Sequence, residues 1–148
     1  MTSAWSGEDL AAEIGELAPD AVVSHRGDDV WVRPDGLLDV MAGLRERPST
    51  AFEMLVAVTG VDYIDHFEVV YHLLSLTHNR SGVIKVRCGE GRTDPAVPSV
   101  TGVWQGADFQ ERETYDLMGI RFDGHPNLKR LFLWDTFEGH PQRKDYIA

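Results

Sequence analysis

The chain has 148 residues, of which 43% are hydrophobic and 26% are charged. This length fits one domain, which can bury enough surface to fold without disulfides. The longest uninterrupted apolar run, Met54 to Val58, is too short for a membrane span, which takes about 20 residues. The net charge of −10 argues against nucleic-acid binding, because phosphates must be neutralised by cations.

The single cysteine, Cys88, excludes a disulfide framework within the chain and favours a reducing, cytosolic setting. It also excludes an iron–sulfur cluster held by this chain alone, which needs about four thiolates. The charge is unevenly distributed: residues 1–110 hold 8 basic and 17 acidic side chains, whereas residues 111–148 hold 6 and 7. Solubility explains the acidic part, and the cation-rich end is also suited to binding an acidic surface.

The first third of the chain predicts a helix, a hairpin and a second helix. Ser6 predicts an N-cap, and the apolar stripe Leu10, Ile14 and Leu17 predicts a helix that ends before Pro19. Two β-prone runs, Ala21 to Ser24 and Val30 to Val32, predict a hairpin. Asp35 predicts the cap of a second helix that ends before Pro48.

The middle of the sequence predicts strands. Met54 to Val58 is apolar throughout, which predicts a strand buried on both faces. Phe67 to Leu76 and Val83 to Cys88 flank a turn and predict an antiparallel pair. A third helix is expected from about Gln105 to a stop at Gly119.

This order of elements predicts an α+β fold, with a mostly antiparallel sheet covered by helices and an extended C-terminal tail. Residues 1–120 are expected to form the core domain. Residues 121–148 contain few apolar side chains and are expected to form an extended docking tail.

The sequence shows no pattern for catalysis or for holding a cofactor. Phosphate-binding and dinucleotide-binding glycine motifs are absent, and the six histidines do not have metal-ligand spacing. Cys88 ends a strand and is interpreted as a small core residue. Glu111 and Glu113 lie on opposite sides of the third helix, whereas Arg112 and Asp116 are spaced to form an ion pair. We therefore predict no catalytic residue, metal site or cofactor on this chain.

The tail repeats one short unit, Gly-His-Pro, at 124–126 and 139–141, and a basic pair follows each copy. Glycine permits a sharp turn, and proline holds the preceding histidine in an extended conformation. The arginines supply planar groups suited to carboxylates. Such a segment can pack on its own domain or dock on a partner, and the composition alone favours the first.

The last 38 residues resemble the 30 kDa subunit family of respiratory complex I, the NADH:quinone oxidoreductase, whose members are also called its C subunits. The family pattern is Glu-Arg-Glu-x-Tyr-Asp-x-x-Gly-Ile, then Phe-x-Gly-His-Pro-x-Leu-x-Arg, then Gly-His-Pro-Leu-Arg-Lys-Asp. Upstream, Val61-Asp62-Tyr63 also fits, and Gln142 stands where the family usually has leucine. The matching positions are Glu111, Arg112, Glu113, Tyr115, Asp116, Gly119, Ile120, Phe122, Gly124, His125, Pro126, Leu128, Arg130, Gly139, His140, Pro141, Arg143, Lys144 and Asp145.

The resemblance implies a peripheral-arm subunit that has no cofactor and is catalytic only as part of the oxidoreductase. Its implied partners are the large hydrogenase-like subunit that forms the quinone-reduction site and the neighbouring iron–sulfur subunits. The implied location is the cytoplasmic side of the inner (plasma) membrane, reached only through the complex. Two alternatives stay open: the equivalent subunit of a membrane-bound hydrogenase or of a ferredoxin- or F420-linked oxidoreductase, and a separate small enzyme using His125 or His140 as general base.

The expected partner-binding residues lie between positions 111 and 145. We expect Arg130, Arg143 and Lys144 to pair with acidic groups on the large subunit. On this interpretation, Arg143→Ala weakens assembly and leaves the melting temperature of the isolated domain unchanged. The full set is Glu111, Arg112, Glu113, Tyr115, Asp116, His125, Pro126, Arg130, His140, Pro141, Arg143, Lys144 and Asp145.

Overall fold

A computed structural model of the chain describes residues 2–133 and 137–146. It contains three α-helices, one large mixed sheet and one small sheet in these residues. The elements in chain order are β1 (Ser3–Ala4), α1 (Gly7–Leu17), β2 (Val22–Arg26), β3 (Asp29–Val32), α2 (Leu37–Glu46), β4 (Met54–Asp62), β5 (Phe67–Ser75), β6 (Arg80–Arg87), β7 (Ala96–Pro98), α3 (Ala107–Met118) and β8 (Arg121–Asp123).

The large sheet has the strand order β2-β3-β6-β5-β4. The pairs β2–β3, β4–β5 and β5–β6 are antiparallel, whereas β3 and the short β1 both pair with β6 in parallel. The predicted α+β fold with a mostly antiparallel sheet is confirmed. The parallel pairings were not predicted, because they join segments far apart in the sequence.

The core lies between one face of the sheet and the helices. Alternate residues of β5, from Phe67 to Leu73, are almost fully buried there, as are Leu10 of α1 and Met41 of α2. Cys88 is also fully buried, which confirms the prediction of a core residue, and burial raises the pKa of its thiol to about 12.

Helix α3 packs across β4 at one end of the sheet, where a glycine makes room for it. A Cβ atom on Gly60 would lie 2.9 Å from the Thr114 side chain and 3.2 Å from that of Met118. The backbone N–H of Val58 donates to the side-chain oxygen of Gln110 at 2.7 Å. Helix α3 therefore covers part of the outer edge of β4. This contact fixes the position of the helix, on which the tail lies.

The first helix, the hairpin, the β5–β6 pair and the third helix form as predicted. Ser6 accepts a hydrogen bond from the N–H of Asp9, and Gly119 ends α3 with a left-handed backbone, φ +74°. Asp35 is not the cap of α2: it lies in a short 3-10 turn, and Gly36 takes the cap position.

The prediction that Met54 to Val58 is buried on both faces is wrong. Met54 and Val56 are 47% and 51% exposed, because alternate side chains of β4 point to the face of the sheet opposite the core. An apolar run does not reveal whether both faces of its strand are covered. Among the described residues, no helix has the length and apolar character needed to cross a bilayer.

We expect Tyr71→Phe to preserve the free energy of unfolding or to raise it by about 1 kcal/mol. The Tyr71 hydroxyl is buried and has no hydrogen-bond partner among the described residues. Urea unfolding measures the change. Trp104→Phe is the control, since the Trp104 ring N–H donates to the carbonyl of Phe52 at 3.1 Å and its loss should destabilise the chain. A clear loss of stability in Tyr71→Phe would contradict this account.

Candidate functional site

The carboxylate of Asp116 shapes the start of the described tail. Its Oδ2 accepts hydrogen bonds from three consecutive backbone N–H groups, at 3.2 Å from Leu131, 2.8 Å from Phe132 and 3.1 Å from Leu133. Its Oδ1 lies 3.0 Å from the guanidinium of Arg130. One buried side chain of α3 thus holds a four-residue turn of the tail.

The environment of Asp116 favours its charged form. Burial alone would raise the pKa of this carboxyl, but the N–H donors of the turn and the Arg130 guanidinium outweigh burial and lower it. Since the Asp116 side chain is fully buried and Arg130 is 12% exposed, the two form a buried ion pair. Removing either member would leave a charge without its partner.

Tail residues also satisfy the carbonyl groups at the C-terminus of α3, which lack partners within the helix. The Asp116 carbonyl accepts from Arg130 at 2.7 Å and from His140 Nδ1 at 3.0 Å. The Met118 carbonyl accepts from Arg143 Nε at 2.6 Å. The two arginines lie at the negative end of the helix dipole, where positive charge is favoured. These tail side chains therefore cap the chain's own helix.

Gly119 permits this close contact between the tail and the helix end. Its positive φ is one that glycine adopts without strain. A Cβ atom there would lie 2.5 Å from Arg143 Nη2 and 2.6 Å from His140 Cδ2. The glycine of the motif thus both ends α3 and leaves space for the second Gly-His-Pro unit.

Asp62, at the end of β4, is a second anchor for the tail. Its Oδ2 accepts from the backbone N–H of Lys144 at 2.9 Å and from Arg92 Nη2 at 3.0 Å. Arg92 also lies 3.0 Å from Asp145. Arg92 and the other donors lower the pKa of the Asp62 carboxyl far below its usual range, despite burial. The end of the tail is therefore tied to the sheet as well as to α3.

The first Gly-His-Pro unit contacts the beginning of α3. His125 Nε2 lies 3.0 Å from Asp108 Oδ1, and its Nδ1 accepts the N–H of Asn127 at 2.9 Å. The predicted ion pair of Arg112 with Asp116 is wrong. Arg112 instead donates to carbonyls of the tail, because Arg130 occupies the carboxylate.

Glu111 supports the loop that precedes α3. It accepts from the hydroxyl of Ser99 at 2.6 Å and from the N–H of Val100 at 2.8 Å. Burial raises the pKa of this carboxyl in spite of both hydrogen bonds. Glu111 is fully buried, whereas Glu113 is exposed, which agrees with their predicted positions on opposite sides of the helix.

The structure divides the predicted partner-binding residues into three groups. The side chains of Glu111, Asp116 and His125 are fully buried in this chain. They can therefore affect a partner only by determining the shape of this chain's surface. Arg112, Tyr115, Arg130, His140, Pro141 and Arg143 are partly buried, and Glu113, Pro126, Lys144 and Asp145 are exposed.

Several side chains that shape this surface were not among the predicted site residues. Asp62 belonged to the Val61-Asp62-Tyr63 motif, but the sequence assigned it no role. No sequence pattern pointed to Arg92 or Asp108. Two exposed phenylalanines beside the tail, Phe109 and Phe132, were also missed. The apolar run Leu131 to Trp134, which interrupts an otherwise polar tail, is the signal that could have identified Phe132.

Comparison with known protein families gives a match over most of the chain. Residues 30–148 match the family described as the respiratory-chain NADH dehydrogenase, 30 Kd subunit. The C subunit of the NADH-quinone oxidoreductase of Roseiflexus sp. (strain RS-1) is 47% identical over 134 residues, which are 86% of this chain and 76% of the relative. The corresponding protein of Azorhizobium caulinodans is 47% identical over 146 residues, which are 94% of this chain and 68% of the relative.

Two solved structures have a similar fold. One is a chain of the membrane-bound sulfane sulfur reductase, described as an archaeal respiratory membrane complex. It has a TM-score of 0.74 and 25% identity, covering 95% of this chain and 85% of its own. The other is Nqo5, as a trypsin-resistant fragment (1-134), with a TM-score of 0.60 and 31% identity, covering 82% of this chain and 98% of its own.

We expect Asp116→Asn to destabilise the isolated chain by about 3–5 kcal/mol, because it leaves the buried Arg130 charge without its carboxylate. Urea unfolding measures the loss. Asp123→Asn is the matched control: Asp123 pairs with Arg121 at the surface, and such pairs contribute about 0–1 kcal/mol. Equal losses in the two variants would contradict a central role for Asp116.

Stability should fall as the pH drops below about 4, the usual pKa of an aspartate in an unfolded chain. Asp62 and Asp116 have lowered pKa values in the folded chain, so their stabilisation is present above that pH and is lost as they become protonated. Glu111, with a raised pKa, has the opposite dependence. The measurement is the urea midpoint at about pH 6 and about pH 3.

In the double variant Asp62→Asn, Asp116→Asn, the drop between the two pH values should be smaller than in the unaltered chain. If the urea midpoint fell as much in the double variant as in the unaltered chain, carboxylates other than Asp62 and Asp116 would be responsible for the acid sensitivity.

Proposed function

The chain belongs to the 30 kDa subunit family of respiratory-chain NADH dehydrogenases and is a subunit of NADH-quinone oxidoreductase, and we propose that it packs on the large hydrogenase-like subunit through α3 and its tail. In this proposal residues 1–120 are the scaffold and residues 121–148 the docking tail. The chain is peripheral, on the cytoplasmic side of the membrane, and also touches neighbouring iron–sulfur subunits of the peripheral arm.

The observation that carries the proposal is the attachment of the tail to α3 by its own buried contacts. Asp116, Arg130 and Arg143 fix the tail's path, while Lys144 and Asp145 remain exposed. A surface ordered before binding loses less conformational entropy when the partner arrives. The motif residues therefore divide into those that shape the surface and those available to the partner.

The proposed role is positional, with no catalytic residue and no cofactor on this chain. Both histidines considered as general bases have structural contacts. The His125 side chain is fully buried beside Asp108, and His140 donates to the Asp116 carbonyl. Burial lowers the pKa of His140, although the hydrogen bond to the Asp116 carbonyl opposes this shift. These contacts favour a positional role over a separate enzyme.

A second candidate is the equivalent subunit of a membrane-bound hydrogenase or of a ferredoxin- or F420-linked oxidoreductase. This second candidate is supported by the similarity of 95% of this chain to a chain of a sulfane sulfur reductase complex. The electron-input subunits that co-purify with the chain distinguish the candidates. Subunits that oxidise NADH favour the first candidate, and a ferredoxin-, F420- or hydrogen-linked set favours the second.

The test is affinity purification of the tagged chain from gently solubilised membranes, followed by mass spectrometry. We expect recovery of the large hydrogenase-like subunit. Lys144→Glu should reduce that recovery, most strongly at low salt, because an exposed cation beside the interface becomes an anion and salt screens the resulting repulsion. Arg26→Glu is the matched control, an exposed charge reversal on β2. Neither change should alter the melting temperature of the isolated chain.

Arg143→Ala is now expected to lower that melting temperature as well as the recovery, because Arg143 binds the Met118 carbonyl. This revises the outcome expected from the sequence. Failure to recover the large subunit with the unaltered chain would overturn the proposed function.

A further inference from the structure

The turn between β4 and β5, residues 63–66, holds one residue in a backbone conformation that its side chain disfavours. Ile64 has φ +76°, in the left-handed region, and its side chain is 67% exposed. This conformation is an outlier for a β-branched residue, and turns that require it usually contain glycine, asparagine or aspartate. Asn79 and Asp94, both at φ +50°, follow this preference. Local preference therefore does not explain the backbone of Ile64, so its tertiary contacts must impose it.

One ion pair holds both polar groups of the Ile64 backbone. The Ile64 N–H donates to Asp62 Oδ1 at 2.8 Å, and its carbonyl accepts from Arg92 Nη1 at 2.9 Å. These two side chains also pair with each other through both carboxylate oxygens of Asp62. A strained backbone persists only where the surrounding structure determines it. Here the Asp62–Arg92 pair supplies the determining contacts.

The end of the tail is attached to the same ion pair. The N–H of Lys144 donates to Asp62 Oδ2 at 2.9 Å, and Asp145 Oδ2 lies 3.0 Å from Arg92 Nη2. The two oxygens of Asp62 therefore have different hydrogen-bond partners in the backbone: Oδ1 accepts from the turn, and Oδ2 accepts from the tail. The orientation of this one carboxylate is thus determined from both sides.

The ring of Phe67 links the tail to the ion pair a second time. Phe67 is the first residue of β5, directly after the turn, and is fully buried. The guanidiniums of Arg92 and Arg143 lie 4.6 and 4.9 Å from the centre of this ring, a distance at which a cation is attracted to an aromatic face. Residues 143–145 of the tail therefore all contact the groups that hold the turn.

We propose that the Asp62–Arg92 pair is a clasp that couples the tail to the turn, so that Ile64 keeps its left-handed backbone only while residues 143–145 are attached. Release of the tail removes one partner from each side chain of the clasp, and the strain of Ile64 then favours an extended backbone. The coupling is reciprocal, so relief of the strain makes the tail attach more tightly. This device lies within one chain and does not depend on the proposed function.

Ile64→Asn in the full-length chain tests the coupling from the side of the turn, because asparagine adopts the left-handed region more readily. The melting temperature should rise by about 2–4 °C. The Lys144 amide, which donates to the clasp, should exchange with solvent about 5- to 30-fold more slowly, the factor that corresponds to the strain of one left-handed residue. Nuclear magnetic resonance measures the exchange.

Val23→Asn is the matched control for this substitution. Val23 is also β-branched and is 63% exposed, but it lies in β2 with an ordinary backbone. This variant should not raise the melting temperature or slow the exchange at Lys144. If Ile64→Asn fails to raise the melting temperature, Ile64 is not strained and the proposal is wrong. A raised melting temperature with unchanged exchange at Lys144 would show that turn and tail are independent, which also overturns it.

The double variant Arg143→Ala, Asp145→Asn tests the coupling from the side of the tail, since it loosens the tail and leaves the clasp residues in place. A left-handed residue gives a strong nuclear Overhauser effect between its own N–H and Hα. This signal should weaken at Ile64 as the backbone becomes extended. Asp145→Asn alone should weaken it less, because a mostly exposed ion pair contributes little.

The control for the tail variant is Arg26→Ala, Asp20→Asn, which changes the same two residue types at exposed positions. It should leave the Ile64 signal unchanged. Unaltered chemical shifts at the buried Ile84 of β6 show that each variant is folded. A folded tail variant in which Ile64 remains left-handed would contradict the proposal, because the turn would then keep its conformation without the tail.

Discussion

The organisation of the tail depends on one buried carboxylate, that of Asp116. It accepts hydrogen bonds from three backbone N–H groups and forms an ion pair with one guanidinium, all at one position on α3. A buried charge is tolerable only when its surroundings replace the water it has lost. Here the tail supplies those groups, so the charge cannot remain buried unless the tail lies on the helix.

A second constraint reinforces the first. The C-terminal carbonyls of α3 need donors, and Arg130, His140 and Arg143 provide them. Asp62 then holds the far end of the tail through the N–H of Lys144. The sheet, the helix and the tail are thus linked by polar contacts at a site where few apolar side chains are available. A segment too polar to form a core is ordered in this way.

These contacts change the interpretation of a charged motif. A row of arginines and histidines is expected to bind a partner directly, yet several of these side chains satisfy groups within the chain. What remains exposed is a smaller set of charges together with Phe109 and Phe132. The buried motif residues determine the shape of the docking surface, and the exposed side chains are those that a partner can contact.

The sequence by itself determined the family, the α+β class and most local elements, because caps, turns and periodicity act within a few residues. Ser6 and Gly119 are examples, since the first begins a helix and the second ends one through local geometry. Only the tertiary structure decided that β4 is an edge strand, that β3 runs parallel to β6, and that Asp116 pairs with Arg130 instead of Arg112. Each of these depends on which distant segments meet, and local sequence patterns carry no information about that.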